Sequence, residues 1–252
     1  MVDRLIQSGW EGWHFLKEDR RLQYPPYTLV EPGQTLYVKP PIKLCTRGLH
    51  ASKRAIDALS YAPGPVVCRV RLSGEIIEDG DKAVATERTC LWMADATTVL
   101  YEFACWCAKQ ALLREREARR EPDPRSWAAV EAKRQWVRGE ITTEELAVAG
   151  AAAGDAASDA AGTAAWAAAR AAARVAGTAA WDTAWNTVWD VVCWNTTWAM
   201  AKATAWDMTW DTVKTAVWGM TWDTARATAI AQNDKLEEML ESLKGCNECK
   251  SS

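Results

Sequence analysis

Long apolar runs are what this sequence most obviously lacks. No stretch of about 18 uncharged apolar residues occurs in its 252 residues, so no membrane-spanning helix is expected. No apolar run follows a basic start, so no secretory signal is expected either. Histidine is scarce: His14 and His50 are the only two, which confines any imidazole chemistry to the first 50 residues. An excess of charge is also missing. A net charge of −3 is too small to draw a polyanion to the whole surface. The eight cysteines are scattered rather than spaced as a framework, which suits reduced, buried thiols. Cys246 and Cys249 form a CxxC and Cys105 and Cys107 a CxC, but the second spacing is poor for zinc, and no metal site is expected.

What is present falls into two materials. Lys plus Arg against Asp plus Glu count 13 and 13 over residues 1–108, 9 and 5 over 109–138, and 8 and 15 over 139–252. The charged stretch 109–125 ends in Pro122-Asp123-Pro124 and reads as a linker or helix end. Before it, short alternating runs (12–16, 35–38, 66–72 and 84–91) predict strands, with turns at Pro and Gly between them. Ser52 can cap a helix over 53–61, and Asp95 to Thr98 a second one. After it, Ser126 to Arg138 reads as a helix stopped by Gly139. Thr142-Thr143-Glu144-Glu145 is a capping box, and residues 147–180 are dominated by Ala, the best helix former. The expected fold class is therefore α+β: a small mixed N-terminal domain (1–108), then an all-α, Ala- and Trp-rich domain (126–245) and a flexible tail (246–252).

Ten of the sixteen Trp lie between Trp166 and Trp222. From Trp194, three twelve-residue units begin at Trp194, Trp206 and Trp218, each with a second Trp four residues on, at Trp198, Trp210 and Trp222. Twelve residues advance a straight helix by three turns plus about 120°, so equivalent indoles share a face only if the helix winds around its neighbours or breaks. Packing them on Ala-rich helices, within the chain or between copies, buries them; an exposed Trp patch would serve a partner. The acidic balance works against nucleic acid, and the aspartates among the repeats work against a membrane surface. Self-association through these six Trp is the expectation.

The segment around Cys45-Thr-Arg-Gly-Leu-His50-Ala-Ser52 is the best specified, with His50 and Ser52 on one face of a short strand. Together with Trp13-His-Phe-Leu-Lys-Glu-Asp-Arg20, Asp57-Ala-Leu-Ser-Tyr-Ala-Pro-Gly-Pro65 and Asp81-Lys-Ala-Val-Ala-Thr-Glu-Arg-Thr89, it resembles an uncharacterised family of bacteriophage and prophage proteins over roughly residues 10–110. The helical tail is similar to those of phage proteins and of some bacterial immunity proteins. These resemblances imply a phage origin and a place in the host bacterial cytoplasm, and they assign no activity. Trp13-His14, Arg47-Gly-Leu-His50-Ala-Ser52 and Thr86-Glu87-Arg88 also resemble the core of ADP-ribosyltransferases. That resemblance implies an NAD site with His14 on the ribose, His50 stacked on nicotinamide and Glu87 stabilising an oxocarbenium-like transition state. Arg47, Ser52 and Tyr61 are the expected ligand-binding neighbours. The first expectation is a non-enzymatic, oligomeric accessory protein that needs no cofactor and binds or sequesters a host or phage partner, in counter-defence or host takeover. The alternative is the NAD-using enzyme.

Overall fold

The computed structural model describes residues 9–119, 121–159 and 216–248, with the backbone alone for 157, 216–226 and 245–248. Five strands come first: β1 (Trp10–Leu16), β2 (Thr35–Tyr37), β3 (Leu49–Ala51), β4 (Val66–Asp79) and β5 (Lys82–Asp95), with the short helix α1 (Ala55–Leu59) between β3 and β4. Every pairing is antiparallel. The order is β1-β4-β5-β2, and β3 pairs with β5 beyond the end of β2. β4 and β5 form one long hairpin, turning at Gly80, whose φ of 61° suits a residue without a Cβ.

The sheet then closes on itself. Ser52, one residue past β3, exchanges both backbone hydrogen bonds with Trp13 of β1, at 2.7 and 3.0 Å. Gly12 makes that approach possible, because a Cβ there would collide with the Ser52 carbonyl oxygen and the Trp10 ring. The hairpin bends where β4 shifts register between Ser73 and Ile76, and Gly74, at φ 74°, carries the bulge. The core face collects Leu16, Cys68, Val70, Leu72, Cys90 and Met93, with Trp10 and Leu36 packed against it.

The helices that follow are built by local rules. α2 (Thr97–Glu117) buries Leu100, Ala104, Ala108, Ala111 and Leu112 along one stripe. α3 (Pro124–Val137) opens with Asp123 accepting from the Arg125 N–H and with Pro at its first turn. It ends on Gly139, at φ 73°, where Gly139 N–H bonds Trp136 O and Glu140 N–H bonds Gln135 O. α4 (Thr143–Asp159) opens with the expected capping box: Thr142 N–H donates to Glu145 Oε2 at 2.8 Å and Glu145 N–H to Thr142 Oγ1 at 3.1 Å. α5 (Ala216–Glu248) buries Thr228, Gln232, Leu236 and Leu240, four residues apart.

The expected succession of a mixed domain and then an all-helical repeat domain is corrected here. What forms is an antiparallel five-stranded sheet followed by a few helices, and the chain divides as Met1–Ala96 with Leu236–Ser252, and Thr97–Lys235. The last helix supplies part of the sheet unit. Leu236 and Leu240 are fully buried, and Glu237 Oε1 accepts from Ala55 N–H at 3.0 Å, satisfying a first-turn donor of α1. Ser52 was expected to cap α1 locally. Instead the N-cap is Arg54, with no side-chain cap bond, and the cap comes from 182 residues away. The repeat residues Trp194, Trp198, Trp206 and Trp210 lie outside the described residues. Trp218 and Trp222 lie on the backbone-only part of α5. Among the described residues no helix is long and apolar enough to cross a membrane.

Candidate functional site

His14 sits on β1 paired with Cys68, so its side chain shares the face of the core residues Cys68, Val70 and Leu72. Arg88 on β5 pairs with Leu72 on one side and Leu36 on the other, which places it on that same face. It is 4% exposed, and its Nη1 donates to the His50 carbonyl at 2.7 Å. Burial holds the His14 imidazole well below its ordinary pKa, and the neighbouring Arg88 and His50 push it further the same way. Burial likewise brings the Arg88 guanidinium down to about 10. A hydrogen bond to Cys90, with burial, keeps Cys68 as the thiol.

His50 Nε2 accepts from Cys45 N–H at 3.0 Å, which leaves the ring proton on Nδ1 and staples the turn before β3. The Gly48 backbone acts on the same ring and favours its charged form. Burial first, then the charge of Arg88, lowers its pKa. Outside the turn lies a polar cluster: Tyr61 donates its hydroxyl to Asp81 Oδ2 at 2.7 Å, and Lys82 Nζ donates to the Tyr61 oxygen at 3.2 Å while lying 4.5 Å over its ring. Hydrogen bonds to the Cys45 side chain and to Tyr61 raise the Lys82 pKa.

The three residues expected to be catalytic are therefore not brought together. His14 and His50 lie close enough to interact electrostatically. Glu87 neighbours Arg88 on a regular stretch of β5 and so points to the opposite face, where it accepts from Ser73 Oγ at 2.8 Å beside the exposed Tyr37. Its register partner Ser73 is five residues along β4 from the partner of His14, about 16 Å. Of the expected ligand-binding residues, Ser52 is buried in the β1 closure, Arg47 is exposed in the turn before β3, and Tyr61 belongs to the Asp81–Lys82 cluster. Arg88 and Lys82 are the residues the sequence reading passed over. Strand alternation holds a signal for Arg88, because it puts residue 88 on the face of Cys90 and away from Glu87. Nothing local marks Lys82.

In the helical unit, Lys133 is buried with its Nζ 4.0 Å from the centroids of both Tyr101 and Trp136, rings that meet edge to face at 5.6 Å. Burial lowers its pKa to about 8. Among the described residues no group of three or more His, Cys, Asp or Glu is placed to hold a metal ion.

Residues 11–102 match a family described as a domain of unknown function (DUF7666). Residues 93–184 match one described as an Imm-5 like putative immunity protein. Each match covers less than half of the chain. The first takes in the strands from β1 to β5, and the second takes in α2, α3 and α4. No curated protein sequence and no solved structure matches the chain.

Proposed function

We propose that this chain is a phage-type accessory protein of the immunity kind, which binds a partner protein in the bacterial cytoplasm and blocks it without catalysis or a cofactor. The match of residues 93–184 to an immunity family carries the reading; among the described residues it takes in α2, α3 and α4. The outward-facing Glu87 and the His50 ring held by the Cys45 N–H argue against an NAD-cleaving centre built from them. Self-association through Trp194, Trp198, Trp206, Trp210, Trp218 and Trp222 belongs to the same proposal, since indoles in such number need a surface to cover them.

Two measurements test it. The full chain, co-expressed with each of a panel of bacterial toxin domains, is expected to restore growth against one of them and to co-elute with it. Purified chain incubated with NAD is expected to release no more nicotinamide than a Glu87→Gln variant. Nicotinamide release that the substitution abolishes would overturn the non-enzymatic reading.

A further inference from the structure

We propose that the core face of the sheet carries a binding site for one small oxyanion, a carboxylate or phosphate group, held between Arg88 and His14. The proposal concerns the sheet unit and stands independently of the partner-binding reading.

Arg88 has five N–H donors. One is used, on the His50 carbonyl, and no carboxylate among the described residues pairs with the guanidinium. A buried cation left in that state is costly unless something offsets its charge. Its remaining nitrogens are not among the fully sealed side-chain atoms that lack a partner. The same holds for the His14 ring, which lies on the same face, makes no hydrogen bond among the described residues and is only partly buried.

No carboxylate among the described residues acts on this point; the acids beside Arg88 are two thiols, whose negative forms favour its charge. Arg88 comes from β5 and His50 from β3. The Cys68 and Cys90 thiols lie on β4 and β5, and Arg20, in the loop after β1, acts on Cys68 as a second positive charge. A planar fork of donors with an imidazole N–H beside it suits a group with two acceptor oxygens. With His50 locked into its turn, His14 is the imidazole left to respond.

The presence of only two histidines makes the test direct. Imidazole 15N spectra of the full chain are recorded while inorganic phosphate, acetate or uncharged acetamide is added at constant ionic strength. Phosphate or acetate is expected to shift the His14 signals saturably and to raise the pH of its titration midpoint, since the bound charge offsets Arg88, while His50 stays put. The anion effective at lower concentration identifies the preferred group. Arg88→Gln is expected to abolish the saturable shift. If that variant does not fold, Arg88→Lys, which keeps the charge but loses the fork, is expected to weaken binding about tenfold or more. No response of His14 to either anion, an equal response to acetamide, or undiminished binding in Arg88→Lys would each overturn the proposal.

Discussion

Two bases contribute to the pH response of the molecule, each because its charged form is desolvated in the fold. The folded pKa of His14 lies below the unfolded value of 6.5, so the unfolded chain binds the proton more readily. The associated stability is fully present above pH 6.5 and is lost as pH falls toward the folded pKa. Urea midpoints at pH 7.5 and pH 5 are expected to show that loss, and His14→Asn to reduce it. For Lys133 the folded value of about 8 lies below the unfolded 10.5, so stability rises with pH between them. The rise is at most about 3 kcal/mol at 1.36 kcal/mol per unit. Lys133→Met, which keeps the apolar stem between Tyr101 and Trp136, is expected to flatten the curve between pH 8 and 10. A rise that survives in Lys133→Met would assign it to another group.

Among the elements, the helix ends of α3 and α4 are specified by their own few residues. Thr142→Ala removes the side-chain half of the capping box and is expected to cost about 1 kcal/mol in chemical denaturation. α1 is the opposite case. Five residues make too short a helix to persist alone, and its cap comes from α5. Glu237→Ala is therefore expected to destabilise by about 1 kcal/mol and to speed amide exchange at Ala55, although the two positions are remote in sequence. The β1–β3 closure depends on a missing side chain. Gly12→Ala is expected to separate the strands and to deprotect the Trp13 and Ser52 amides together.

On the scale of the whole molecule, the return of the last helix to the sheet unit decides where the chain can be cut. Deleting residues 236–252 removes the buried Leu236 and Leu240 side chains, each worth about 1.5–3 kcal/mol of apolar burial, together with the α1 cap. The shortened chain is expected to bind a hydrophobic dye and to lose cooperative unfolding. A truncation that unfolds as sharply as the full chain would show the sheet to be self-sufficient. Sedimentation of the full chain tests the proposed self-association, with a mass above one chain expected.

Much of the local structure was legible in the sequence because local chemistry dictates it. Alternation marked β1, β2, β4 and β5, although β4 and β5 run further than expected because Gly74 bends the hairpin without ending it. Gly139 and Thr142 marked helix ends because each satisfies backbone groups within four residues, whereas α3 starts at Pro124, two residues before the expected Ser126. The site was less legible. His14 and His50 could be picked out as rare residues, but their roles depend on neighbours 36 or more positions away, and choosing between Glu87 and Arg88 required knowing which face of β5 is buried. Only the tertiary structure decided that the end of α5 returns to the sheet unit to cap α1 and that Arg88 is buried without a carboxylate partner among the described residues. Both facts are long-range pairings, fixed by which apolar faces find each other and not by any pattern along the chain.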